Sequence, residues 1–185
     1  FYYAPNNASL VVAGDINPAQ AKEWIAKYFS GIPRGKDVQK VTVNQPKQNV
    51  TKRQTMEDRV QLPRLYLTWH STPQSGEDDA TLDILADILA GGKNSRLYKS
   101  LVYDKQIAQD VTAYQDSREM AGLVQIEVTA KPGVTLSDLE KNINEEIAKL
   151  QESGATERET QRSKNSTKAN FVYRLQFVGG FGGKA

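Results

Sequence analysis

The residue types that most often build metal and thiol chemistry are scarce in this sequence. Its 185 residues include one histidine, His70, and no cysteine. A zinc site needs three or four ligands, drawn mostly from His and Cys, and a thiol nucleophile needs a Cys. His70 lies on the polar face of a predicted strand, with no partner at a ligand spacing. We therefore predict a structural or surface role for His70, and no metal or other cofactor bound by this chain.

Three serines are candidates for a nucleophile, and none has the local sequence that nucleophilic catalysis needs. Ser9, Ser95 and Ser117 all lie outside a Gly-x-Ser-x-Gly elbow, and His70 would have to act as the base for every one of them. Serine is also a common turn and capping residue. The acidic run at residues 77–79 is explained by the helix dipole, which favours carboxylates in a first turn. These residues therefore predict no catalytic site.

The glycine-rich tail superficially resembles a phosphate-binding loop. Such a loop needs a Gly five residues before its Gly-Lys pair, followed by Ser or Thr, after a strand. Here Val178 precedes Gly183-Lys184, Ala185 follows them, and the preceding element is a predicted helix. We interpret the tail as a helix break or a close approach of backbones.

The first third of the chain predicts one strand, one helix and an arm. Residues 10–13 form a continuous apolar run, typical of a strand buried on both faces. Asn17 then has the features of an N-cap, with Pro18 at the first helical position. Residues 36–62 are polar and lack a period, which indicates a connecting arm with exposed strands at 41–43 and 50–56.

From residue 65 onwards the periodicity becomes clear. Apolar and polar residues alternate in a strand that begins at Leu65. The patterns predict helices at 77–89, 95–103, 135–151 and from 157 onwards, and two further strands at 107–115 and 123–130 joined as a hairpin. This order predicts the α+β class, with a mainly antiparallel sheet and helices packed on one face.

Composition excludes several classes of partner. Apolar residues make up 38% of the chain and charged residues 25%, with a net charge of +2. That mixture is typical of a globular domain, and the near balance of charge gives no reason to expect nucleic acid or a membrane as the main partner. We also expect both ends to be cuts inside a longer protein.

Several stretches together resemble the insulinase/pitrilysin-type zinc metallopeptidases. The resemblance rests on residues 3–16, 28–33, 83–92, 94–98, 131–133, 154–157 and 177–185. The signature positions, which we expect to be structural, are Pro5, Asn6, Gly14, Asp15, Gly91, Gly92, Ser95, Arg96 and Leu97.

The resemblance implies that this chain is the inactive, C-terminal domain of such a protein. The family's zinc motif is an inverted His-x-x-Glu-His, which activates a zinc-bound water for peptide hydrolysis. This sequence lacks the motif, so zinc is expected in the parent protein, upstream of this chain. Residues 1–35 would be the last strand and helix of the zinc-bearing domain, 36–62 the arm, and 63–185 the non-catalytic domain, truncated at its C-terminal end.

The family also uses an Arg–Tyr pair, donated by the opposite half, to assist binding of the substrate carbonyl. The corresponding places here hold Val102 and Gln109, so the resemblance implies a chain from the zinc-bearing half. Gln109, Gln115 and Ser117 are candidates to face a peptide in the chamber that two halves enclose. Hairpin surface is an equally good interpretation of these three positions.

The resemblance implies particular partners for the chain. They are the upstream zinc-bearing domain, a second homologous half or subunit, and a peptide substrate; truncated apolar edges also predict self-association. The alternative function is a structural or partner subunit of the same fold, without peptidase activity. The resemblance favours a periplasmic or otherwise extracytoplasmic location in bacteria, and the residues leave the cytoplasm open.

Overall fold

The computed structural model describes residues 2–39, 41–42 and 47–176. The chain divides into two compact units, one of residues 1–42 with 171–185, and one of residues 43–170. The strand expected at 41–43 and the glycine-rich tail at 177–185 lie partly or wholly outside the described residues.

The first unit contains helix α1, Pro18–Phe29, and a short 3₁₀ helix, Pro5–Asn7. The predicted cap is confirmed, because the Asn17 side chain accepts hydrogen bonds from the amides of Ala19 and Gln20. Asn6 fixes the chain that follows α1: its Oδ1 accepts from the Gly35 amide at 2.9 Å. The Asn17 cap explains where α1 begins, and the Asn6 contact positions the chain after α1 ends.

The predictions of strands at 10–13 and 50–56 are wrong. Both stretches are irregular in the structure, and Leu10, Val11 and Val12 are 58%, 85% and 47% exposed. Apolar composition favours an extended chain, but a strand exists only when its backbone groups pair with a neighbouring strand. Composition carries no information about that neighbour, which is why these two predictions fail.

The second unit is built on three antiparallel strands in the order β1-β3-β2. They are β1, Arg64–Ser71, β2, Ala108–Ser117, and β3, Gly122–Ala130. Leu67 and Ala113 both pair with Ile126, which fixes the register across the sheet. The predicted hairpin between β2 and β3 is confirmed, and it contains a bulge between Ala108 and Asp110.

Helices cover one face of this sheet. They are α2, Asp79–Ala90, a π-helix, Tyr98–Asp104, and α3, Leu136–Ser153. The chain then continues into α4, Glu157–Arg174, whose last turn belongs to the first unit. Leu97, Leu101, Ile126, Leu139 and Ile143 are at most 1% exposed and form one core between sheet and helices. Each such side chain contributes roughly 1.5–3 kcal/mol by leaving water.

Capping chemistry again fixes where the long helices begin. Thr135 accepts from the Asp138 amide at the start of α3. Thr156 and Glu159 form the predicted capping box, each accepting from the other's backbone amide, at 3.2 and 2.8 Å.

The predicted α+β class, with an antiparallel sheet and helices on one face, is confirmed. No helix in the described part of the chain has the length and apolar character needed to cross a bilayer.

Candidate functional site

The face of the sheet away from the helices, called the open face below, carries the densest group of polar side chains on the sheet. Residues directly opposite one another on paired strands share a face. Tyr66 and Thr112 both pair with Glu127, and Thr68 and Tyr114 both pair with Gln125. His70 and Asp116 both pair with Leu123 at the end of the same face.

A hydrogen-bonded group lies at the centre of the open face. Tyr114 Oη donates to Glu127 Oε1 at 2.7 Å, and Gln125 Nε2 donates to the same carboxylate at 2.7 Å. Gln125 also donates to Tyr114 Oη, and Thr68 Oγ1 donates to Gln125 Oε1 at 3.2 Å. The group spans all three strands and presents a carboxylate, an amide and a phenol side by side.

The charges on this face follow from these contacts. The hydrogen bond to Glu127 raises the pKa of Tyr114, so the phenol keeps its proton and continues to donate. At the hairpin end, a hydrogen bond from Arg118 lowers the pKa of Asp116, which keeps that carboxylate ionised. Because Arg118 matches the charge of Asp116, the carboxylate of Glu127 is the group at the centre of the open face that can accept hydrogen bonds and attract a cationic group.

The described residues do not form a zinc site. His70 is exposed at the end of β1, and no three His, Asp or Glu side chains in the described part of the chain are close enough to share a metal ion. The hydrogen-bonded group at the centre of the open face can bind and orient a ligand through hydrogen bonds and charge.

The outer edges of the sheet are a second feature suited to binding an extended chain. In the described sheet, β1 and β2 each pair only with β3. A strand paired on one side leaves a row of backbone N–H and C=O groups that an extended peptide can pair with. The bulge at Gln109 interrupts the ladder with β3 near the start of β2.

The three predicted peptide-facing residues lie in two different places. Gln109 is the exposed extra residue of the bulge. Gln115 and Ser117 lie on the helix-covered face, where Gln115 Nε2 donates to Asp79 Oδ1 of α2 at 2.8 Å. The structure therefore does not bring the three together, and a peptide-facing role stays a prediction for each.

Tyr114, at the centre of the open face, was not among the predicted site residues. The sequence predicts that Gln125 and Glu127 point outward. Beyond the bulge, Thr112 and Tyr114 alternate with the more buried Val111 and Ala113, and this alternation is the sequence signal that places Tyr114 on the open face.

The position that the resemblance aligns with the family's arginine lies in the helical layer. Val102 is half-buried in the π-helix, packed against the core. Gln109 occupies the tyrosine's place at the bulge.

The signature residues after α2 form a turn and, through Arg96, an ion pair with Glu159 of α4, called the clamp below. Gly91 follows α2, and its amide donates to the Asp87 carbonyl, while Gly92 has φ 109°, which favours glycine. Ser95 is 1% exposed and donates to the Gly92 carbonyl at 2.6 Å; Leu97 is fully buried in the core.

Arg96 forms the clamp by binding the start of α4. Its Nε and Nη2 donate to the two carboxylate oxygens of Glu159 at 2.7 and 2.8 Å, and Nη2 also donates to the Gly154 carbonyl. The Arg96 hydrogen bonds, helped by Thr156, lower the pKa of Glu159 to about 2. The clamp fixes the start of the π-helix against the start of α4.

Comparison with known proteins assigns the family of the chain. The family model of the peptidase M16 inactive domain matches residues 2–167. The chain belongs to the peptidase M16 inactive domain family. The inactive, C-terminal domain that the resemblance implied is confirmed.

Two curated relatives are zinc proteases by name. Zinc protease PqqE of Helicobacter pylori is 26% identical over 178 residues, covering 95% of this chain and 40% of PqqE. Uncharacterized zinc protease YmxG of Bacillus subtilis is 27% identical over 176 residues, covering 95% of this chain and 42% of YmxG. The chain therefore spans about two fifths of the length of these relatives.

A solved structure agrees with the sequence comparisons. The crystal structure of a protease from Helicobacter pylori superposes with a TM-score of 0.75 at 26% identity, over 95% of this chain and 43% of that one. The fold of this M16 inactive domain is thus shared with part of a longer protease.

Proposed function

We propose that this M16 inactive domain belongs to a zinc-dependent metalloendopeptidase, where it supports a zinc-bearing domain and forms part of the wall around the peptide substrate. In this assignment residues 1–35 complete the preceding domain, 36–62 form the arm and 63–185 form the inactive domain. The catalytic zinc would be held upstream, and a second homologous half or subunit would close the chamber.

The observation that carries this proposal is the combination of family membership with the polar open face. The zinc proteases PqqE and YmxG extend well beyond the region that matches this chain, which leaves room for a zinc-bearing domain. The open face offers Tyr114, Gln125 and Glu127 as a binding surface without a reactive centre. Hydrogen-bonding groups and one carboxylate can bind an extended, basic peptide without taking part in its cleavage.

Because the proposal places the zinc in the upstream domain, it predicts that the isolated chain has no peptidase activity. We expect the 185-residue chain to bind no stoichiometric zinc and to cleave no unstructured peptide, because one histidine cannot supply a zinc centre. Metal analysis and a fluorogenic casein assay with and without chelator measure both properties. The parent polypeptide is the matched control, and we expect it to cleave casein in a chelator-sensitive manner. Cleavage by the isolated chain would contradict the proposal, as would a parent without the zinc motif, which would favour a structural subunit.

The role of the open face predicts a change in substrate binding. In the parent polypeptide we expect Glu127→Gln to raise KM for a basic, unstructured peptide about three- to tenfold, because the charge attracts the peptide before the chemical step. The value of kcat should change less than twofold.

Glu157→Gln is the matched control for this experiment, since it removes one exposed carboxylate from the first turn of α4. Steady-state kinetics of both variants, with circular dichroism to confirm folding, give the result. An unchanged KM in Glu127→Gln, or an equal change in the control, would contradict the assignment of the open face to the chamber.

A further inference from the structure

A second surface of the M16 inactive domain lies among its helices and has a different chemistry. A cavity of about 1130 Å³ opens between the loop after α2, the π-helix, α3 and the start of α4, and none of its lining residues belongs to the sheet. We call it the basic groove, because seven of its lining residues are Lys or Arg and three are Asp or Glu.

The carboxylates and cations of the basic groove divide into paired and unpaired groups. Glu159 is bound by Arg96, and Glu146 is bound by Lys149 at 2.7 Å, so these charges largely cancel. Lys105 has partners in Asn142 and Glu145. The remaining carboxylate is that of Asp104.

Four further cations line the basic groove without an ion pair. Within the described residues, no carboxylate lies within 4 Å of Lys93, Lys99, Arg158 or Arg162. They come from three elements: Lys93 from the loop after α2, Lys99 from the π-helix, and the two arginines from α4. The net charge of +2 for the whole chain conceals this local excess of positive charge.

We propose that the basic groove binds an acidic peptide segment of a partner protein. The unpaired cations are spread over three elements around an open groove, so a single small anion would leave several of them unused. A chain with carboxylates at intervals can reach all of them. Exposed Tyr103, which also lines the groove, offers an aromatic surface to the aliphatic parts of such a segment.

Helix α4 supplies both the test variant and its control. Arg158 and Arg162 are four residues apart and line the basic groove; Lys164 and Lys168 are also four residues apart on α4 and do not line it. The double variants Arg158→Gln/Arg162→Gln and Lys164→Gln/Lys168→Gln therefore remove equal charge from one helix. Neither pair belongs to the Arg96–Glu159 clamp, so both variants should fold.

The experiment is fluorescence anisotropy with the full chain and a labelled 12-residue peptide rich in Glu and Asp. We expect Arg158→Gln/Arg162→Gln to weaken binding roughly tenfold and the lysine control less than twofold. We also expect a rise from 50 to 300 mM salt to weaken binding at least tenfold, because the contacts are exposed charges. A peptide with every carboxylate replaced by its amide should not bind.

Three results would overturn the proposal. They are equal losses in the two double variants, binding of the amide peptide with the affinity of the acidic one, and displacement by tripolyphosphate at concentrations below those of unlabelled acidic peptide. The last result would assign the groove to an oligophosphate instead. Since the peptide assay needs no zinc and no cleavage, failure of this proposal is distinguishable from failure of the proposed function.

Discussion

At the scale of single residues, the most consequential contact is the clamp between Arg96 and Glu159. Both side chains are less than one fifth exposed, and two parallel hydrogen bonds join them. A bidentate pair with so little solvent screening contributes more than a surface ion pair does. The clamp also holds the capping box of α4, because Glu159 accepts from the Thr156 amide.

The lowered pKa of Glu159 predicts how stability depends on pH. Its pKa is about 2 in the folded chain, against an ordinary 4.5, so folding favours the ionised form. The stabilisation is complete above about pH 4.5 and is lost as the pH falls towards 2. We expect Glu159→Gln to lower the free energy of unfolding by about 2–3 kcal/mol at pH 7 and by much less at pH 2.5.

Urea unfolding across pH 2.5–7 tests this prediction, with Glu157→Gln as the control in the same helical turn. The control should follow the wild-type pH dependence, because Glu157 is exposed. The clamp has no special role if Glu159→Gln and the control lose the same free energy at both ends of the pH range.

Residue types alone predict some of these contacts. The Thr156–Glu159 capping box and the Asn17 cap follow from local sequence, since each joins residues within three positions. The Arg96–Glu159 clamp joins residues 63 positions apart, and no local rule connects them. For the same reason the contact of Gln115 with Asp79, 36 positions away, could not be predicted.

At the scale of elements, α3 is held to the sheet by a narrow apolar stripe. Leu139 and Ile143 are fully buried, one helical turn apart, while most of the remaining helix is exposed. The periodicity of this stripe made the helix predictable from sequence. The order in which the strands pair was harder to predict from sequence, because it depends on contacts between residues far apart in the chain.

The stripe predicts a large cost for truncating one of its members. We expect Leu139→Ala to lower the free energy of unfolding by about 2–5 kcal/mol, through lost burial and the cavity left behind. Leu123→Ala is the control, since Leu123 is 39% exposed on the open face, and it should cost less than about 1 kcal/mol. Denaturant unfolding of both variants measures these losses of unfolding free energy. Similar losses in the two variants would show that α3 does not depend on this stripe.

At the scale of the whole molecule, the exposed apolar run at residues 10–13 is the feature that the fold leaves unexplained. Exposed clusters of large apolar side chains favour association, because burying them removes apolar surface from water. The clamp, the capping box of α4 and the core account for the folding of the second unit without this run. In the proposed parent, the run would complete the zinc-bearing domain, so the isolated chain should use it for self-association.

Self-association should therefore depend on this run and not on exposed apolar residues in general. We expect the mean mass of the chain in sedimentation equilibrium to rise with concentration, and Val11→Glu to shift it towards the monomer, because a charge cannot be buried cheaply in an apolar contact. Val50→Glu is the matched control: Val50 is 71% exposed against 85% for Val11, and both lie in irregular segments. A monomer at every concentration, or an equal shift in the two variants, would remove the apolar run as the cause, and with it one argument that a neighbouring domain covers this surface in the parent.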